Sequence, residues 1–385
     1  MIISRVRTAT FALATIASLS LSGLSTAPSR ATGTVTIGVV ADVTGASSVY
    51  GTSIRNGATL AASLLNKAGG VNGNTLNIKL CDAASSETQA IDLFQQYSGD
   101  STVLAILGPT LSSEALKADP LAQQAGIPVL ATSNTAKGIV ELGDYIFRLA
   151  LGEARVIPLA MQTAQKHLHF RKVAIIYAND NTLTSGEAQI FQAAAKALNL
   201  TVVDTETFAT KDKDFSTQLT KIKGAHPDAI LAGALAPAAV PLMVQARQLG
   251  IPASVTFIGG NGFNSPAVIA GAGKAAEGAV AGTAWFANGK GALNQRFIAA
   301  YKAAYGKAPD QFAAQAFDGV NVLAAGVTKA HTTSDRKALR AALATLSGVP
   351  VVTGASGSFS FTATRDSGEQ GTVQIIRNGQ FVQYT

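Results

Sequence analysis

Side chains able to do covalent or metal chemistry are few and scattered in this 385-residue chain. The histidines are His167, His169, His226 and His331, and Cys81 is the one cysteine. Metal sites need clustered His, Cys or carboxylate ligands. His167 and His169 are two positions apart, a spacing that cannot share a helical face, so they read as the polar end of a helix. A nucleophile elbow would need G-x-S-x-G, which the sequence lacks. Ser334 and Lys337 match S-x-x-K, but Ser334 opens an Ala/Leu-rich stretch and reads as a helix N-cap. Gly271-Ala272-Gly273-Lys274 has the wrong glycine spacing for a phosphate loop, and no Ser or Thr follows the Lys. The turn at 39–45 carries no G-x-G-x-x-G, which disfavours a dinucleotide enzyme. The reading is of a non-enzymatic chain with no cofactor and no metal. A secreted hydrolase is the alternative that the missing nucleophile motif disfavours.

What remains is a set of segments rich in Ser, Thr, Asn and Gly and poor in charge: 41–51, 108–113, 132–135, 178–186, 233–237 and 259–263. Their hydroxyls, amides and backbone donors suit the carboxylate or hydroxyls of a small polar solute.

These segments must be held by something, and the hydrophobic pattern says what. Short β-branched runs at 34–40, 76–81, 103–107 and 128–131 read as strands and alternate with helical patterns at 54–67, 87–97 and 113–124. A second series repeats this, with helices at 157–169, 186–198, 215–223 and 240–249 and strands at 172–177, 201–206, 229–232 and 255–259. Such alternation is the pattern of parallel sheets flanked by helices, and two series imply two α/β lobes. In a doubly wound sheet ligands bind beyond the carboxyl ends of the strands, where the polar segments fall. The helical patterns at 297–305, 311–331 and 336–346 and the β-like tail 371–383 belong to one lobe or the other, and periodicity does not say which.

Composition raises two further possibilities. Thirty basic against 23 acidic residues give +7, and 47% of the chain is hydrophobic. Both numbers are inflated by the N-terminus. Arg5 and Arg7 precede an uncharged stretch from Thr8 to Leu24, and Ser29-Arg30-Ala31 presents small residues for cleavage after Ala31, as a secretory signal does. Removing residues 1–31 takes three arginines and no acid, leaving 27 basic and 23 acidic residues without basic runs. Lys211-Asp212-Lys213-Asp214 alternates in sign and reads as a solvated turn, so no nucleic-acid footprint is present. A lone cysteine cannot close an intramolecular disulfide, and Cys81, following a strand-like run, reads as a small buried hydrophobe.

Several segments together carry a resemblance: Ile37-Gly38-Val39-Val40 through Thr44-Gly45, Tyr50-Gly51, Asn66-Lys67-Ala68-Gly69-Gly70-Val71-Asn72-Gly73, Ile106-Leu107-Gly108-Pro109, Asp214-Phe215-Ser216, Pro227-Asp228-Ala229-Ile230 and Gln245-Ala246-Arg247-Gln248-Leu249-Gly250. In this order they resemble the leucine/isoleucine/valine-binding protein family, the periplasmic solute receptors of ABC importers for branched-chain and related amino acids. The resemblance implies a type I periplasmic binding fold: two doubly wound parallel-sheet lobes joined by three crossings. It implies an N-lobe of 32–151 plus 283–363 and a C-lobe of 152–282 plus 364–385. It also implies a periplasmic monomer whose partners are a small-molecule solute and an inner-membrane ABC permease. A ligand-sensing subunit serving a membrane receptor or kinase would share fold and pocket.

Carried over position by position, the resemblance puts the solute's carboxylate on Ser112, Ser133 and Thr135 and makes Tyr50 a wall over it. Leu235 takes the place of an aromatic residue, and Thr182 lies where the family has Tyr-Gly. The acid that would meet an ammonium is replaced by Asn261, so the expected solute is a carboxylate or amide without a free α-ammonium, such as an aromatic or short aliphatic acid. The family's disulfide positions fall on Ser85 and Leu111.

Overall fold

A computed structural model describes residues 33–289 and 291–385, and the export signal expected at 1–31 lies outside the described residues. The first apolar run forms β1 (Thr34–Ala41), buried from its second residue onward because parallel strands are covered by helices on both faces. There follow α1 (Ser48–Lys67), β2 (Thr75–Asp82), α2 (Glu87–Gly99), β3 (Val103–Leu107), α3 (Ser112–Ala125), β4 (Val129–Ala131) and β5 (Ile146–Arg148). These strands make a five-stranded parallel sheet in the order β2-β1-β3-β4-β5.

The second series comprises α4 (Glu153–Leu168), β6 (Lys172–Ala178), α5 (Thr182–Ala197), β7 (Thr201–Phe208), α6 (Ser216–Gly224), β8 (Ala229–Gly233), α7 (Ala236–Gln248), β9 (Thr256–Gly259), α8 (Pro266–Ala272) and β10 (Val280–Thr283). The rest of the chain forms α9 (Ala292–Tyr305), α10 (Gln311–Ala330), α11 (Arg336–Ala344), the short pair β11 (Val349–Pro350) and β12 (Ser358–Phe359), then β13 (Thr372–Arg377) and β14 (Gln380–Gln383). The second sheet has seven strands in the order β14-β13-β10-β9-β8-β6-β7. Its β6 to β10 core is parallel, and β13 and β14 add antiparallel at one edge.

The strand orders reverse between β1 and β3 in one sheet and between β6 and β8 in the other. Those are the switch points where a crevice opens in a doubly wound sheet. Two α/β units with parallel sheets, joined by three passages of the chain, are the type I periplasmic binding fold expected.

Packing settles where the later elements go. Helix α10 lies against α1, with the Ala313 carbonyl oxygen 2.1 Å from where a Cβ on Gly57 would stand. The Tyr305 hydroxyl, from α9, donates to the Asn56 carbonyl at 2.8 Å. On α11, Arg336 donates to the carbonyls of Tyr97, Ser98, Asp100 and Val103 at and beyond the end of α2, a cation at a helix C-terminus. Among the described residues no helix is long and apolar enough to cross a membrane.

Several local expectations need correction. The cap of α11 is Asp335, whose side chain accepts from the Ala338 N–H, and not Ser334. Cys81 is half-buried rather than a core residue. Helices α1, α4, α5 and α7 begin about one turn before the apolar periodicity does. Apart from Val49, Tyr50 and Leu183, the first turns of α1, α5 and α7 are built from Ser, Gly, Thr, Ala and Pro, which carry little periodic signal, and α4 opens on the charged Glu153-Ala154-Arg155.

The tight contact of α1 with α10 gives the first test. Replacing Gly57 by alanine inserts a methyl group into the Ala313 backbone, and overpacking of this kind costs about 1–3 kcal/mol. The expected result is a melting temperature several degrees lower by calorimetry, and an unchanged value would mean that the helices are not in contact.

Candidate functional site

The carboxyl edges of the two sheets face each other, and the segments leaving them enclose two adjoining cavities. The inner one is about 20 Å³, room for one water molecule. It is lined by Tyr50, Thr110, Leu111, Ser112, Ser133 and Phe312 from one side and by Leu183, Leu235, Asn261 and Gly262 from the other. The outer one is about 290 Å³ and also draws on both sides, including Ser47 and Ser85 against Asn181 and Phe208. Leu111 and Leu235 line both cavities. A larger concavity of about 570 Å³ beside α1 and α10 is an open groove away from the strand ends.

Five of the seven residues singled out from the sequence therefore line the inner cavity: Tyr50, Ser112, Ser133, Leu235 and Asn261. Thr135 lies beside it and is 1% exposed. Thr182 opens α5, is exposed and lines neither cavity, whereas its neighbours Leu183 and Thr184 each line one. Ser85 and Leu111, where a disulfide would stand in the family, both line the outer cavity.

Hydrogen bonding assigns these side chains different tasks. Tyr50 reaches across the gap: its hydroxyl accepts from the Ala236 N–H at 2.7 Å, at the first turn of α7, and donates to the Gly262 carbonyl at 3.0 Å. Its ring packs on Phe312 at 4.7 Å between centroids. Burial pushes the phenol well above its usual range, so it stays protonated and able to donate. Ser133 donates to the Thr110 carbonyl at 2.8 Å, and Thr135 donates to Glu153 at 2.7 Å. Those two protons are spoken for. Ser112, the first residue of α3, accepts from the Ala136 N–H at 3.3 Å, which leaves its proton free to donate to a solute. Asn261 is tied through its side-chain oxygen to the Gln311 amide at 2.5 Å.

Sequence reasoning missed two buried carboxyl pairs behind these residues. Asp42 opens the segment after β1, where its N–H donates to Thr110 and its carboxylate accepts from the Ser85 N–H, and it shares a hydrogen bond with Glu114 in the first turn of α3. Burial and the neighbouring Asp42 charge raise Glu114 to about 9. On the other side Glu153, in the first turn of α4, accepts from Thr135 and from the Asn261 N–H at 3.1 Å. Burial raises it to about 7 despite those hydrogen bonds. Its neighbour Glu187 is raised well above the carboxylate range by burial and by the Glu153 charge. Glu114 and Glu153 sit in the first turns of their helices, where an acid is ordinary on dipole grounds, and Asp42 and Glu187 read as a loop acid and a helical one, so nothing in the sequence marked these four.

A carboxyl raised in the folded state binds more protons there than when unfolded. Its stabilising contribution is complete below the ordinary value of 4.5 and is lost as pH climbs through 7 for Glu153 and 9 for Glu114. The slope is at most about 1.4 kcal/mol per pH unit for each extra proton held. Thermal melts between pH 5 and 9 should show stability falling with pH, more gently in Glu114→Gln and Glu187→Gln. Parallel pH profiles for variant and wild type would contradict this assignment.

The architecture is matched by known proteins. A family model described as periplasmic binding protein matches residues 34–377. The chain is 28% identical over 326 residues to the Leu/Ile/Val-binding protein BraC3 of Rhizobium johnstonii, covering 83% of this chain and 86% of that protein. Its structure is similar to the branched-chain amino acid transporter substrate binding protein LivJ of Streptococcus pneumoniae, in complex with isoleucine, with a TM-score of 0.84, 27% identity and coverage of 90% and 97% of the two chains. It is also similar in fold to an ABC transporter solute binding protein of R. palustris in complex with benzoate, with a TM-score of 0.81, 22% identity and coverage of 91% and 95%. On the strength of the model that spans most of its length, the chain belongs to the periplasmic binding protein family.

Proposed function

We propose that this chain is an extracytoplasmic solute-binding protein of an ABC importer, which takes a small carboxylate, amide or amino-acid-like solute into the cleft between its lobes and closes on it by hinge motion. The observation that carries the reading is the meeting of the two strand-end edges around enclosed space, bridged by the Tyr50 hydroxyl. Residues from both sides touch the same volume, so a solute there gains contacts in the closed state that neither half provides alone, which is the condition for ligand-driven closure. The reading takes 32–151 plus 283–363 and 152–282 plus 364–385 as the lobes, and residues 1–31 as an export signal. A membrane permease recognising the closed form is the partner it implies. The bound solutes of its relatives, isoleucine in one and benzoate in another, span the range under consideration.

Within that range the lining favours solutes without a free ammonium. Among the described residues no Asp or Glu lines either cavity, and the Glu153 carboxylate beside Asn261 already accepts from Thr135 and the Asn261 N–H. An ammonium would forgo a charge-assisted hydrogen bond worth about 1.5–3 kcal/mol. Ser112 is the best-placed donor for an anion at the inner end, since it alone of the three hydroxyls first singled out keeps an uncommitted proton.

Isothermal calorimetry on residues 32–385 with amino acids, organic acids, amides and urea tests the function. The expected result is saturable binding of at least one acid or amide, weakened in Ser112→Ala, with no turnover by any of the proteins. Absence of heat across the whole panel would refute it. A second measurement addresses closure. Tyr50→Phe strands the Ala236 N–H and the Gly262 carbonyl, at about 1–3 kcal/mol for a buried group left unpaired. Small-angle scattering should then show a larger radius of gyration for the variant, and equal radii would assign Tyr50 to packing alone.

A further inference from the structure

We propose that Asp42 and Glu114 are positioning residues of the solute site: a single proton held between their carboxyls clamps together the segments that follow β1, β2 and β3, and so sets Leu111 and Ser112 for a solute. The inference rests on the reading of the chain as a solute receptor and adds two residues that act on the site without lining it.

The three strands are neighbours, in the order β2-β1-β3, so their carboxyl ends lie side by side. Asp42 follows β1, Glu114 stands in the first turn of α3, and both are fully buried. Each carboxyl spends one oxygen on a main-chain N–H of another segment. Asp42 Oδ1 accepts from Ser85, after β2, at 2.8 Å, and Glu114 Oε2 accepts from Leu111, after β3, at 3.0 Å. The Asp42 N–H adds a third tie by donating to the Thr110 hydroxyl at 2.8 Å. Among the described residues no N–H or hydroxyl reaches the remaining oxygens, Asp42 Oδ2 and Glu114 Oε1, and the two carboxyls are hydrogen-bonded to each other. Ionised carboxylates only accept, so that contact requires a proton on one of them. Ser85, Asp42, Glu114 and Leu111 then form one continuous line of hydrogen bonds from segment to segment.

The surrounding charges keep the proton there. Asp82 at the end of β2 faces Asp42, and Glu87, the first residue of α2, faces Glu114, so both add negative charge; Glu87 is itself paired with Lys117 of α3. Burial and the Asp42 charge carry Glu114 to about 9. The clamp is therefore closed at neutral pH and opens as pH climbs through that value, when two adjacent buried carboxylates repel. What it holds is the wall of the site. Thr110, Leu111 and Ser112 all line the inner cavity, and Ser112 carries the uncommitted hydroxyl proton. A donor fixed in place before the solute arrives has less freedom to lose on binding, which is how bracing that never touches the solute raises affinity.

Pulsed hydrogen exchange read by mass spectrometry on solute-free residues 32–385, at pH 7 and pH 10 with rates corrected for the intrinsic effect of pH, tests the clamp. Protection of the peptides spanning 83–86 and 108–113 is expected to fall at least tenfold at pH 10 in the wild type. Glu114→Gln is expected to keep it at both values, because a glutamine amide accepts from the Leu111 N–H and donates to Asp42 whatever the pH. Glu114→Ala should lack it at both, and Glu114→Gln keeps the question decidable if the alanine variant does not fold. Calorimetry with benzoate, isoleucine and any further member of the panel above that binds reads the consequence. From pH 7 to pH 10 the wild type should lose about tenfold more affinity than Glu114→Gln, a comparison in which titration of the solute and of Glu153 cancels. Equal protection in wild type and Glu114→Gln at pH 10 would overturn the clamp. A clamp that opens without changing affinity would make the pair a structural brace and overturn its role at the site. Failure of every compound in the panel would overturn the receptor reading, and with it the role toward a solute, while leaving the exchange result as it stands.

Discussion

A carboxyl group removed from water must be either neutralised or fully hydrogen-bonded. Glu153 meets that demand with partners drawn from both halves of the molecule: the Thr135 hydroxyl on the segment after β4 and the Asn261 N–H on the segment after β9. The rest of the cleft depends on it. Thr135 is oriented by the bond it gives, Asn261 is placed so that its side chain meets Gln311, and Gln311 in turn accepts from the Thr283 hydroxyl and the Ala284 N–H where the chain leaves β10. One buried acid thereby sets the relation between the strand-end segments of one sheet, those of the other and a connection between them. The hydrogen bond with Glu187, with the Arg148 guanidinium nearby, lets two carboxyls stand together in the interior.

A similar bracing holds the other connections. Arg148, at the end of β5, makes a bidentate pair with Asp366 at 2.7 Å and donates its remaining nitrogen to the Ala136 carbonyl. Because Asp366 lies on the passage to β13, the first and third connections are joined at one guanidinium. Planar, two-point pairing fixes direction as well as distance, a geometry a lysine would not supply.

Much of this fold was legible because its strands are fully buried and its helices amphipathic. The runs at 34–40, 103–107 and 229–232 have no polar face to obscure them, and their observed bounds differ by at most one residue. Legibility fails at the cleft for a physical reason. The first turns of α1, α5 and α7 point into the gap rather than into a core, so the signal that marks a helix is absent where the ligand-facing residues begin. Tyr50 and Ser112 came from a motif match, and periodicity alone would have left them in loops. Glu114, Glu153 and Glu187 were beyond reach: the first two look like solvated helix-start acids and the third like an ordinary helical acid until partners such as Thr135 and Asn261, 18 and 108 positions from Glu153, are seen in space. Leu111 and Leu183, unremarkable in sequence, matter only because segments from two sheets converge on them.

The last two strands close the second sheet at its β10 edge, and the helices that cover α1 and the first sheet come from beyond residue 291. Neither half can therefore be completed from a contiguous stretch of chain. During synthesis the first series emerges without α10 and α11, and the second waits for β13 and β14 until the final residues are available. Pairings of such long range are slow to form, and an unfinished sheet edge has nothing to hold it shut. The interleaved topology itself therefore delays the native state until the strands of residues 372–383 are available to complete the second sheet.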